Sequence, residues 1–405
     1  MRILYLAKQL PGDIPDGYDI RFRGTVERLA LSHDVDVLSY DVGKIDDDLA
    51  ARLSSCRTIE IAPDRVAPPL QRAAEFFSER SLLVPDEGFA RALKETLEAR
   101  DYDLVLVAGW ALLHYVPLIR RVSGRDLPVI ADPADDEVRA KEIALTRTRG
   151  LKERFGAWRR LVQTRKYQSK YLKDLDMVLF VSPDDAASTL ARVPGAPVVV
   201  CQNGVDTDRF APGTSDSDSP VLVFEGTMTF PPNVEGAVRL ARDVLPLVRT
   251  EVPEARALLV GRDPVPEVRA LASDAVEVTG TVADVRAEVL RGSVFVCPLV
   301  SGTGQKNKLL QAWSMGLPVV ATTMSTTGLD ARSDENVILA DETQAIADAC
   351  VKLLRDPAER RRLGEAGRRT AVEVYSVDRK MGELQELVEG LVDGASSAAP
   401  SPAHR

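Results

Sequence analysis

The sequence predicts an α/β protein of two parallel-sheet domains, and three observations carry that prediction. Short apolar runs alternate with amphipathic stretches of helical period, the pattern of βαβ units. The series stops at a polar, turn-rich stretch and then starts again. The chain is 45% hydrophobic but only 5% aromatic, so its cores must be mainly aliphatic, as in parallel sheets covered by helices. A length of 405 residues is also too great for one ordinary core and suits two domains.

The first strand is predicted at residues 3–7, a helix at about 20–31 and the second strand at 35–40. Further strands of the first half fall at 104–107, 129–131, 177–181 and 198–201. The second half restarts with 221–224, then 257–260, 276–278, 294–296 and 319–321. Between the two series lies Pro212-Gly213-Thr214-Ser215-Asp216-Ser217-Asp218-Ser219-Pro220, too polar and too rich in turn formers to pack. The expected organisation is therefore an N-terminal domain over 1–211, a linker over 212–220 and a C-terminal domain over 221–375. A helix over 376–393 is expected to cross back to the N-terminal domain. The tail 394–405, rich in Ala, Ser and Pro, reads as disordered. Two sheets joined this way place a ligand where their carboxyl ends face one cleft.

Charge and cysteine content exclude several classes of function. A formal charge of -9 argues against a nucleic-acid partner, which calls for a basic face. One segment departs from that average: residues 139–173 hold twelve basic side chains against two acids. Cys56, Cys201, Cys297 and Cys350 are far apart, without a CxxC pair or a nearby histidine, so reduced thiols and no metal site are expected. The chain opens on the strand-like Met1-Arg2-Ile3-Leu4-Tyr5-Leu6 without signal-peptide features, and no apolar run reaches about 18 residues. A cytoplasmic location is expected, or a peripheral one on the inner face of the membrane if 139–173 docks there.

The stretch that carries chemistry runs from Pro298 to Ala321 and contains Ser301-Gly302-Thr303-Gly304-Gln305-Lys306-Asn307-Lys308 and then Leu309-Leu310-Gln311-Ala312-Trp313-Ser314-Met315-Gly316. It follows a buried strand, passes through a glycine turn and opens a helix that stops at Gly316. Gly302 and Gly304 allow a phosphate to approach the backbone, and Lys306 and Lys308 add positive charge in the first turn. Such a site would stabilise charge developing on a departing diphosphate without a divalent metal. On residue types alone, a packing turn with solvated lysines is the alternative.

These residues resemble the donor-site signature of glycosyltransferase family 4, a glycine-rich turn, a basic pair and then Leu-Glu-Ala-Met-Ala-x-Gly-x-Pro-Val-Val. Asn203-Gly204-Val205-Asp206, Phe224-Glu225-Gly226-Thr227-Met228, Val260-Gly261-Arg262 and residues 278–285 agree in order and spacing. Pro15-Asp16-Gly17-Tyr18-Asp19-Ile20-Arg21, with Gly226-Thr227-Met228 and Pro232-Asn233, resembles a subgroup found with bacterial exopolysaccharide systems. The resemblance implies the GT-B fold, two Rossmann-like domains facing across a cleft, and a retaining transferase that uses a UDP-, GDP- or dTDP-sugar with no cofactor or metal. The implied acceptor is a polysaccharide, a lipid-linked glycan or a small molecule.

It further implies that Gly302, Thr303, Gly304, Lys306, Lys308 and Gln311 hold the diphosphate, sugar and ribose, and that Gly226 and Thr227 line the facing turn. Gly280, Thr281 and Val282 would hold the nucleobase, and the turn at Gly17 would close over the phosphates. Two departures stand out: Thr303 and Gln311 occupy positions where the family places glutamates. Gln311 keeps a donor and an acceptor for ribose but brings no charge. A nucleotide-binding or scaffold protein with impaired catalysis is therefore one alternative, and a sugar-nucleotide epimerase is another. The family's front-face chemistry uses leaving-group phosphate as the base, which fits a chain with only His33, His114 and His404. Asp132, Asp135 and Asp136 follow a strand end and read either as acceptor contacts or as turn acids and caps. Segment 139–173 reads as a solvated helix face or as a dock for an anionic membrane. Residues 76–84 read as an insertion beside the acceptor pocket or as packing.

Overall fold

The computed structural model describes residues 1–11, 17–60, 86–123, 127–213 and 219–398. The chain forms two compact units, Met1–Gln202 with Met381–Arg405, and Asn203–Lys380. Residues 76–84 and His404 lie outside the described residues.

In the N-terminal unit seven parallel strands form one sheet: β1 (Arg2–Ala7), β2 (Asp34–Tyr40), β3 (Ser55–Ile59), β4 (Leu104–Ala108), β5 (Val129–Ala134), β6 (Met177–Phe180) and β7 (Val198–Val200), in the order β3-β2-β1-β4-β5-β6-β7. Alternate residues of β1 serve opposite faces. Ile3 and Tyr5 pack with Phe22, Val26 and Leu29 of helix α1 (Gly17–Ala30), whose i, i+4, i+7 spacing makes one apolar stripe. Leu4 and Leu6 face Phe89, Leu93, Val116 and Ile119 on the other side. Between β5 and β6 the chain makes a helical hairpin, α2 (Glu137–Arg147) and α3 (Leu151–Tyr171).

The C-terminal unit holds six parallel strands: β8 (Val221–Glu225), β9 (Arg256–Val260), β10 (Val276–Val278), β11 (Val294–Cys297), β12 (Val319–Ala321) and β13 (Ile338–Leu339), in the order β10-β9-β8-β11-β12-β13. Helices α4 (Pro231–Arg239) and α5 (Asn307–Ser314) follow β8 and β11. Both sheets reverse strand order beside their first strand, between β1 and β4 and between β8 and β11. The carboxyl ends at such a reversal diverge and leave room for a ligand.

The structure departs from the sequence-based expectation at four places. Nothing in the sequence marks β3, because Ser55-Cys56-Arg57-Thr58 is exposed and polar at the sheet edge, with no apolar run. β13 spans only two residues and is equally silent. The units divide at Gln202/Asn203, not at 212–220. Val205 N donates to the Tyr375 carbonyl at 2.7 Å, and Val377 N donates to the Val205 carbonyl at 2.9 Å, so 203–213 fold with the second unit. Turn formers mark where packing lapses, whereas contacts decide where a unit ends; residues 214–218 of that stretch lie outside the described residues. Finally, helix α6 (Val377–Ala398) runs past 393 into the stretch expected to be disordered. A helix already formed adds one hydrogen bond for each residue it orders, so it can extend across Gly394 without a new nucleus. From Met381 it counts with the N-terminal unit, and its Leu384 and Val388 join the core that contains Phe22.

Candidate active site

The glycine turn and α5 stand at the strand reversal of the C-terminal unit, following β11, and the Gly226-Thr227 turn follows its neighbour β8. Gly302 (φ +121°) and Gly304 (φ +68°) occupy backbone conformations that side chains resist. No side chain caps the start of α5, which leaves its first amides directed at whatever lies before the helix.

Both lysines are fixed. Lys306 is only 9% exposed, and its ammonium donates to the carbonyls of Thr303 and Gly304, each at 2.7 Å. Lys308 reaches the other turn: Nζ donates to the Glu225 carbonyl at 2.6 Å and to Asn233 Oδ1 at 2.7 Å, above the Phe224 ring at 4.6 Å. Asn233, on α4, returns a hydrogen bond from Nδ2 to the Thr227 carbonyl at 3.0 Å. A side chain at 226 would place its Cβ 2.6 Å from both Lys308 Nζ and Asn233 Nδ2, so the glycine is what lets the ammonium enter the turn. The alternative of solvated lysines is thereby corrected: burial and carbonyl partners hold both charges in place.

A second device anchors the loop. Gln305, 8% exposed, accepts from Asn203 N at 2.8 Å and donates from Nε2 to the Asn203 carbonyl at 3.2 Å. Asn203 Nδ2 donates in turn to Asn307 Oδ1 at 3.1 Å. The loop thus keeps its shape before any ligand arrives, which is the condition for an electrostatic site to act without reorganisation. Sequence reasoning does not single out Gln305, Asn203 or Asn233 as site residues. Their only signal is a place in the matching blocks, because each role depends on a partner distant in sequence.

The remaining predicted residues are distributed differently. Gln311 and Thr303 are half-buried, and Gln311 lies one turn after Lys308 on the same helix. Gly280 (φ +69°), exposed Thr281 and half-buried Val282 follow β10, the edge strand two places from β8. Gly17 opens α1 in the other unit. Burial pushes the Glu225 carboxyl above its ordinary range, with Lys308 pulling it partly back.

The family model described as Glycosyltransferase Family 4 matches residues 23–209, and the one described as Glycosyl transferases group 1 matches residues 219–356. The chain belongs to these glycosyltransferases. The epimerase alternative is set aside by that match. Over 341 residues, covering 76% of this chain and 82% of the relative, this glycosyltransferase is 27% identical to the GDP-mannose-dependent alpha-(1-6)-phosphatidylinositol monomannoside mannosyltransferase of Mycolicibacterium smegmatis. Over 198 residues, 45% of this chain and 52% of the relative, it is 29% identical to the phosphatidyl-myo-inositol mannosyltransferase of Mycobacterium leprae. Among solved structures, sucrose-phosphate synthase from Thermosynechococcus elongatus superposes with a TM-score of 0.71 at 18% identity, covering 97% of this chain and 99% of that one. HepE of Anabaena, in complex with UDP and glucose, superposes with a TM-score of 0.68 at 15% identity over 96% and 99% of the two chains. The glycosyltransferase has the GT-B fold.

In the N-terminal unit the strand-end acids have separate roles. Asp132 is a buried ion-pair partner, its Oδ2 accepting from Arg21 Nε at 2.8 Å, while Asp136 caps α2 by accepting from Val138 N at 3.0 Å and also takes Arg192. Asp135 offers its carbonyl to Trp110 Nε1 at 2.8 Å. His114 is half-buried beside Tyr115, and burial pulls its imidazole down to about 4. Among the described residues no three His, Cys, Asp or Glu side chains are grouped to hold a metal ion, and no helix is long and apolar enough to cross a membrane.

Proposed function

We propose that this glycosyltransferase transfers a sugar from a nucleoside-diphosphate sugar, UDP-, GDP- or dTDP-linked, with retention of anomeric configuration and without a metal ion. The observation that carries this reading is Lys308 threaded into the Gly226 turn beside the glycine loop 302–304. Together they concentrate one fixed cation, a second buried cation at Lys306 and uncapped backbone amides at one strand reversal. A diphosphate is the ligand whose geometry and charge match that set. The same groups stabilise the leaving diphosphate as the glycosidic bond breaks, the task a divalent cation performs elsewhere. In a retaining front-face reaction the leaving phosphate oxygen accepts the acceptor proton, so the protein's part is to hold the phosphate and position the acceptor. The mannosyltransferase from Mycolicibacterium smegmatis is named for GDP-mannose and HepE was solved with UDP and glucose, which supports a nucleotide-sugar donor.

The acceptor is a polysaccharide, a lipid-linked glycan or a small molecule, with exopolysaccharide assembly as the setting the subgroup resemblance favours. A second reading, nucleotide binding with impaired turnover, rests on Thr303 and Gln311 standing where the family resemblance implies glutamates. The deciding experiment measures thermal shift and calorimetric binding with UDP, GDP, dTDP and their sugars, with and without chelator. A ligand that binds the native state raises the melting temperature by linkage. Selective stabilisation by one nucleotide, unaffected by chelator and accompanied by donor consumption, is the expected result. Binding without consumption would favour the impaired reading, and stabilisation by none would overturn both.

A further inference from the structure

One face of helix α3 is buried, with Ala157, Leu161, Thr164, Tyr167, Gln168 and Tyr171 packing inward. On the opposite side Leu151, Phe155 and Trp158, at i, i+4 and i+7, form a stripe that is 90%, 49% and 44% exposed. Phe155 and Trp158 pair with each other at 5.8 Å between ring centroids, which extends the stripe. Around it residues 147–170 hold nine basic side chains and one acid, in a chain whose net charge is -9. Arg147, Arg149, Lys152 and Arg154 at the N-terminal end are exposed.

We propose that this face docks on an anionic phospholipid bilayer. An exposed aromatic-aliphatic stripe rimmed by arginine and lysine is the arrangement that lets a helix lie in the headgroup layer, rings at the acyl boundary and cations on lipid phosphates. Two alternatives fit the surface less well. A second copy of the chain would bring two strongly cationic faces together. A nucleic acid would find no use for Leu151, the most exposed apolar side chain of the stripe.

The topology gives the docking a direction. α2 leads away from the carboxyl end of β5, and α3, with 21 residues, returns to the start of β6. At about 1.5 Å per helical residue, α3 is longer than the strands it must span, so its first turns overhang the carboxyl edge of the sheet. That is the edge where an α/β unit binds its ligand. The bilayer would therefore lie on the ligand side of the N-terminal unit, which makes a lipid-borne molecule the acceptor class. The acceptor assignment rests on the transferase reading above; the docking does not.

The test uses the full chain with vesicles of phosphatidylcholine alone and vesicles with roughly one third phosphatidylglycerol, at low and high salt. Trp158 reports insertion, because Trp110 and Trp313 are only 6% and 0% exposed. The expected result is at least about tenfold stronger partition into the anionic vesicles, weakened by salt and accompanied by a blue shift of tryptophan emission. L151S/F155S keeps the reporter and lowers partition about tenfold or more without moving the thermal midpoint; R149E/R154E removes the preference for anionic lipid. Equal partition into both vesicle types, no partition, or an L151S/F155S variant that partitions like the parent would overturn the proposal. So would self-association in vesicle-free buffer that L151S/F155S abolishes, since it would make the face a subunit contact. Nucleotide binding is read without vesicles, so failure of the donor site and failure of the docking face remain distinguishable.

Discussion

Two cation-rich regions of this chain use the same residue types in opposite ways. In the loop 302–308 the lysines are turned inward, Lys306 onto the carbonyls of its own loop and Lys308 onto a neighbouring turn. On α3 the flanking arginines and lysines stand at the surface around an apolar stripe. An ammonium held by carbonyls in a partly buried turn is preorganised and weakly screened, so it can act on one ligand at one place. Exposed side chains are screened and individually weak, and act collectively on an extended charged surface. Burial and partners, rather than the count of positive charges, separate the proposed donor site from the proposed docking face.

Removing one fixed charge has the largest expected effect. Lys308→Ala is expected to weaken donor-nucleotide binding by about 2 kcal/mol, read by calorimetry, because one charge-assisted contact is lost. R149E/R154E should leave the same affinity unchanged in vesicle-free buffer. If Lys308→Ala binds nucleotide like the parent, Lys308 serves packing and the loop is not the donor site. Next in size is Gln305→Leu, which removes both hydrogen bonds to Asn203 and leaves a buried amide and carbonyl unmatched. A loss of about 1–2 kcal/mol in thermal stability is expected, with nucleotide affinity falling as the loop loosens. Gly226→Ala leaves every charge in place. Its Cβ would displace the Lys308 ammonium, 2.6 Å away, and a loss of about 1 kcal/mol in nucleotide affinity is expected. Unchanged affinity would mean that the position of Lys308 matters less than its presence.

Much of the fold is legible because buried parallel strands read as continuous apolar runs. Val294–Cys297 and Val319–Ala321 fall where such runs predict them. β3 is not legible, since an exposed edge strand needs no apolar signal. The glycine loop is legible from its residue types, and the family resemblance gives the facing turn at Gly226. The hold on Gln305 is not, because Asn203 lies 102 positions away and nothing local records the pairing. Likewise, the twelve basic residues of 139–173 are visible in sequence, but only the helix shows that Leu151, Phe155 and Trp158 share the face opposite its buried side.

The smallest expected effect concerns an acid beside the fixed cation. Burial raises the Glu225 carboxyl above its ordinary value of 4.5, and Lys308 only partly opposes the shift. Between 4.5 and that raised value the folded protein holds a proton that the unfolded chain has released. The resulting stability is fully present below 4.5 and is lost as pH rises through the folded value. A bound diphosphate adds negative charge nearby and favours the protonated acid further, so nucleotide affinity should decline through the same window. Glu225→Gln removes the titrating group. Its thermal midpoint and nucleotide affinity, followed from pH 4.5 to neutrality, should lack the decline shown by the parent. A parallel decline in both proteins would assign the pH dependence to other groups and leave Glu225 without a part in the charge balance of this turn.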